Sequence, residues 1–77
     1  MEMESGFRIT LFSHPDYENL TAEIYLRDQF IALVSRENDA FSLEFSSTDD
    51  ILGQQLDLLA FVEALGEARN RLNSKAI

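Results

Sequence analysis

Cysteine is absent from these 77 residues, proline and histidine each occur once, and the three glycines, Gly6, Gly53 and Gly66, are scattered. Without cysteine there is no disulfide staple and no thiolate zinc site. Without clustered glycines there is no phosphate-cradling loop. The one histidine, His14, lies between Ser13 and Pro15 in a loop and lacks a serine or cysteine positioned as a nucleophile, so it reads as a loop residue. No apolar run approaches the roughly 20 residues of a membrane span, and the start MEMESGFRIT has neither a positive n-region nor an apolar h-region. The expectation is a soluble, cytoplasmic protein with no catalytic residues, no cofactor and no metal. The missing cysteines also fit a reducing compartment.

Positive charge is scarce as well. Six basic residues face fourteen acidic ones, for a net charge of −8. Residues 1–67 hold every carboxylate and only Arg8, Arg27 and Arg36, while Arg69, Arg71 and Lys75 gather near the end. A field of this sign repels nucleic acid and anionic membrane surfaces and speeds encounter with a basic protein. The basic tail is too short for a nucleic-acid footprint and suits the C-terminal end of a helix dipole.

What is present is periodicity. Phe7, Ile9 and Leu11 alternate with Arg8, Thr10 and Phe12, predicting a strand that ends at Ser13-His14-Pro15-Asp16. Leu20, Ala22, Ile24 and Leu26 alternate with Thr21, Glu23 and Tyr25 in a second strand. Phe30-Ile31-Ala32-Leu33-Val34 is apolar at both parities and suits a central strand. After a turn at Arg36-Glu37-Asn38-Asp39, Phe41, Leu43 and Phe45 alternate with Ser42, Glu44 and Ser46. Residues 46–56 read as a loop with a short apolar anchor at Ile51-Leu52. Asp57 stands at an N-cap, and Leu58, Phe61, Val62, Leu65, Ala68 and Leu72 follow with helical spacing. Glu67 and Arg71 have the favourable acid-first order. Gly66 interrupts this helix, and a close approach to the sheet would explain it.

The predicted fold is α+β: a four-stranded antiparallel meander with one C-terminal helix packed on one face, in the order ββββα. The 1–77 chain forms one domain, with 1–5 disordered, 6–46 the sheet and 57–73 the helix. A domain of this size buries roughly 60% of the surface its unfolded chain exposes, so each apolar face counts. The core takes Phe7, Ile9, Leu11, Leu20, Ala22, Ile24, Leu26, Phe41, Leu43 and Phe45 against Leu58, Phe61, Val62 and Leu65. Phe12, Tyr25 and one parity of the third strand, either Ile31 with Leu33 or Phe30 with Val34, are left on the face without a helix. An apolar patch rimmed by polar groups is where soluble domains meet partners.

Two groups of residues are candidates for that meeting. In a meander the first and third connections emerge at one end, which gathers Asp16, Glu18, Glu37 and Asp39 into an acidic pole; the same residue types are also what solvated turns favour. Glu23, Tyr25 and Glu44 share the outer face, where tyrosine offers contact area and the carboxylates offer partners for arginine or lysine. Arg36-Glu37-Asn38-Asp39 lacks the ligand spacing and glycine of a calcium loop. Acid–base catalysis by a carboxylate pair needs a cleft that 77 residues have little room to build.

The stretch Asn19–Leu72, with Leu20-Thr21-Ala22-Glu23-Ile24-Tyr25, Phe30-Ile31-Ala32-Leu33-Val34-Ser35-Arg36-Glu37 and Asp57-Leu58-Leu59-Ala60-Phe61-Val62-Glu63-Ala64-Leu65, resembles small bacterial proteins of strands followed by one helix. Some of these are similar to immunity proteins of contact-dependent growth inhibition and related toxin systems. The resemblance covers about two thirds of the chain, rests on hydrophobic pattern and transfers no site residue. It implies a cytoplasmic protein that binds one cognate toxin domain and blocks or occludes its active site. Taken with the acidic charge, the expected partner is a basic toxin domain such as a nuclease. The alternatives are a homodimer closed over the open sheet face, or a phage-encoded mimic of nucleic acid.

Overall fold

Two tight turns fix most of the sheet. At Arg27-Asp28 and at Asn38-Asp39 both central residues are left-handed, with φ of 50° and 68° and of 53° and 65°. Paired positive φ values are those of a type I′ turn, whose twist matches that of a two-stranded ribbon. In the computed structural model, which describes residues 5–46 and 55–75, these turns join β2 (Thr21–Leu26) to β3 (Gln29–Glu37) and β3 to β4 (Ala40–Phe45). With β1 (Phe7–Phe12) they form one antiparallel sheet in the order β1-β2-β3-β4, and α1 (Leu58–Lys75) packs on it. The architecture is the expected ββββα meander. Of residues 1–5, expected to be disordered, Ser5 is described in a turn before β1, while residues 1–4 and the apolar anchor at Ile51-Leu52 lie outside the described residues.

The third strand follows neither of its two expected parities. Ile24 pairs with Ala32 and Tyr25 with Phe30, so Ile31 has no counterpart on β2 and forms a bulge. The extra residue lets Ile31, Ala32 and Val34 all join the core facing α1, while Phe30 and Leu33 lie on the other face, opposite Tyr25 and Glu23. A run that is apolar throughout is what such a switch of parity requires.

The helix packs through smaller residues than expected. Its buried face is Ala60, Ala64, Ala68 and Leu72, with Phe61 and Leu65 partly buried beside it. Leu58 and Val62, placed in the core by their spacing, are 71% and 53% exposed. The reason is steric. The sheet contributes Phe7, Ile9, Ile24 and Ile31 at 2% exposure or less, and alanines on the facing helix let the two layers approach around those large side chains. Leu20, Phe41, Leu43 and Phe45 are likewise exposed, contrary to their expected place in the core. Leu20 precedes β2, and α1 lies chiefly over β1, β2 and β3. At the start of the helix the Asp57 carboxylate accepts from the Ala60 amide at 3.0 Å, the expected N-cap. Glu67 and Arg71 pair at 2.9 Å. Gly66 approaches nothing: a Cβ there would have no neighbour within 4 Å. Among the described residues no helix is long and apolar enough to cross a membrane.

Candidate functional site

The face of the sheet opposite α1 is partly covered by the chain itself, contrary to the expectation of an open layer. The connection from Ser13 to Leu20 turns back on itself at the Tyr17 amide, which donates to the His14 carbonyl at 3.1 Å. The Asp16 amide donates to His14 Nδ1 at 3.1 Å. The connection then reaches across the sheet to β3 and β4. The Glu18 amide donates to Glu37 Oε1 at 2.9 Å, and Asn19 Nδ2 donates to Glu37 Oε2 at 2.8 Å and to the Arg36 carbonyl at 3.0 Å. Tyr17 donates its hydroxyl to Glu44 Oε2 at 3.3 Å. The rings of Phe12, His14 and Tyr17 meet edge to face in sequence, at 6.0 and 5.2 Å between centroids. Beneath this cover Leu33 is 8% exposed and Ser35 5%, although neither faces the helix.

Pro15 and the polar residues around it break the strand pattern, which is why the connection reads as a loop. The hydrogen bonds that fold it inward are long-range, and its local composition carries no sign of them. His14 and Tyr17 are therefore the site residues that sequence reasoning misses. An aromatic residue on each side of a proline turn is the available signal.

Beside this cover a cleft of about 310 Å³ remains, lined by His14, Glu23, Phe30, Leu33 and Glu44 and closed by the end of β4 at Phe45 and Ser46. The sheet register builds it. Glu23 pairs with Leu33 and Leu33 with Glu44, so two carboxylates flank one buried leucine across three strands. With strands about 4.8 Å apart, the two acidic positions are separated by roughly 10 Å at the backbone.

Each carboxylate has a tyrosine. Tyr25 donates to Glu23 Oε1 at 3.3 Å, packs edge-on to Phe30 at 5.6 Å, and lies under the Arg8 guanidinium at 4.7 Å from its ring centre. Burial, followed by the charge of Glu23, raises the Tyr25 phenol above its ordinary value, with Arg8 opposing. Burial and then Glu44 raise Tyr17 in the same way. Both phenols thus stay protonated and hold the carboxylates as hydrogen-bond donors at neutral pH.

Glu23, Tyr25 and Glu44 are therefore brought together on the outer face. Of the acidic pole, Glu18 and Glu37 meet, but both oxygens of Glu37 are taken up in holding the Ser13–Leu20 connection. Asp39 is paired with Arg36 at 3.0 Å, and Asp16 and Glu18 are exposed on the connection itself. Among the described residues no three side chains of histidine, cysteine, aspartate or glutamate cluster as a metal site would need. No protein-family model matches the sequence, and comparisons with curated proteins and with solved structures give no match.

Proposed function

We propose that this chain is a non-catalytic protein-binding module that receives a basic side chain of its partner in the cleft between Glu23 and Glu44. The observation that carries this reading is the row Glu23–Leu33–Glu44, an apolar floor between two tyrosine-held carboxylates. An arginine or lysine entering it lays its methylenes on Leu33 and Phe30 and sets its charge between the acids. A cation above Leu33 lies one strand spacing, roughly 5 Å at the backbone, from each acidic position. At about 310 Å³ the cleft is at the lower limit of small-molecule sites and suits one or two side chains of a larger partner. The net charge of −8 adds long-range attraction for a basic surface.

The role that fits a small acidic module of this kind is that of an immunity protein which occupies and neutralises a basic toxin domain. Affinity capture from the native host, with the wild type beside a Glu23→Gln/Glu44→Gln variant, tests it. The wild type is expected to retain a basic protein that salt releases and the variant does not hold, and co-expression of the wild type alone is expected to relieve that protein's toxicity. Equal capture by both forms, or no protection, would overturn the reading.

A further inference from the structure

The sheet ends in an edge of unusual character. All six residues of β4 are exposed, and among the described residues no strand pairs with its outer side. Natural edges are blunted by lysine, proline, a bulge or an inward-pointing charge. Ala40-Phe41-Ser42-Leu43-Glu44-Phe45 has none of these, and its one charge, Glu44, points to the outer face.

The α1 side of this edge is apolar and continuous with the helix. Phe45 stands 6.2 Å from Phe61, and the Arg69 guanidinium lies 5.7 Å from the centre of the Phe41 ring, so α1 runs antiparallel to β4. Leu58 and Val62 lie on the same flank of the helix as Arg69 by their spacing. With Phe41, Leu43 and Phe45, all of them exposed, they leave on the order of 400–500 Å² uncovered, at about 150–250 Å² per large side chain.

We propose that this edge is a homodimer interface, in which β4 of one copy pairs antiparallel with β4 of a second about a two-fold axis near Leu43. Self-complementarity favours a second copy over another ligand. Leu43 then faces Leu43 of the other copy, and Phe41 faces its Phe45, both on the apolar side. On the outer side Glu44 faces Ser42, so no carboxylate opposes a carboxylate across the seam despite the negative net charge. The apolar strip, the edge backbone and their rim bring the contact to the roughly 1,000 Å² total that a specific interface requires. The interface borders the Glu23–Glu44 cleft and shares Glu44 and Phe45 with it, but it does not depend on the role proposed for that cleft. It differs also from the dimer expected from sequence, which closed over the face bearing Tyr25.

Light scattering coupled to size exclusion tests the proposal on the unmodified chain, where twice the chain mass is expected. A monomer at every concentration would overturn it. Leu43→Glu and Leu43→Lys substitute a partly exposed side chain, so each is expected to keep the wild-type circular dichroism and to run as a monomer. An equimolar mixture of the two is expected to recover the dimer mass. A Leu43→Glu chain that still dimerises, or a mixture that stays monomeric, would assign the contact elsewhere and overturn the proposal. Should either variant fail to fold, hydrogen exchange on the wild type decides: β4 amides must gain protection as concentration rises.

Discussion

The Tyr17 hydroxyl reaches the Glu44 carboxylate at 3.3 Å across 27 residues of sequence, and so ties the β1–β2 connection to the far edge of the sheet. This contact buries the Leu33 floor and orients one wall of the cleft together. Tyr17→Phe retains the ring and removes only the donor. Because the bond is exposed, its loss should lower the unfolding midpoint only slightly. Urea unfolding measures that shift, and hydrogen exchange should quicken across residues 14–20. An unchanged midpoint with unchanged exchange would mean that Tyr17 does not hold the connection.

Both tyrosines should titrate late. Their folded pKa values are raised above the ordinary 10.0 by burial and then by the neighbouring carboxylate. A phenol of this kind contributes stability that is complete below the unfolded value of about 10 and is lost as pH rises through the higher folded value. Ultraviolet absorbance of the phenolate, followed with pH, should show two late transitions. Glu44→Gln should bring forward the Tyr17 transition and Glu23→Gln that of Tyr25, each leaving the other in place. A curve that neither substitution moves would contradict the pairing.

The parts of the fold legible in the sequence are those in which chemistry alternates. Phe7-Arg8-Ile9-Thr10 and Phe41-Ser42-Leu43-Glu44 declare strands because one parity is polar, and that same alternation puts Glu23, Tyr25 and Glu44 on one face. Phe30 to Val34 has no polar parity, so nothing marks where the bulge at Ile31 switches the face. The helix was legible in extent and in part of its inner face, since Phe61, Leu65, Ala68 and Leu72 lie where their spacing puts them. Leu58 and Val62 outweigh alanine in any hydrophobic pattern, whereas packing against Phe7 and Ile24 selects Ala60 and Ala64 for their size. The cover over Leu33 depends on hydrogen bonds between distant residues, such as Asn19 to Glu37, which no local pattern encodes.

Gly66 illustrates the same limit and yields a stabilising substitution. It lies in the interior of α1, and a Cβ added to it meets no atom within 4 Å. No close approach to the sheet offsets the entropy glycine loses on entering a helix. Gly66→Ala should therefore gain about 0.8–1 kcal/mol. For a domain of this size that corresponds to a rise in Tm of roughly 4–8 °C. A thermal melt showing no gain would mean that the position has a constraint other than packing.

The turn at Asn38-Asp39 separates backbone strain from side-chain pairing. Asp39 has φ of 65° and pairs with Arg36 at 3.0 Å, yet its side chain is 92% exposed. An exposed pair of this kind contributes only about 0–1 kcal/mol, and Asp39→Ala and Asp39→Gly lose it equally. They differ in the left-handed backbone, which costs alanine about 1–2 kcal/mol and glycine almost nothing. Glycine in turn gives up roughly 0.4–1 kcal/mol through the greater freedom of the unfolded chain. The balance leaves Asp39→Gly more stable than Asp39→Ala by about 0.5–1 kcal/mol, with the glycine variant nearer the wild type. Denaturant midpoints of the two variants measure the gap directly. An alanine variant as stable as the glycine one would show that the left-handed turn imposes no cost at this position.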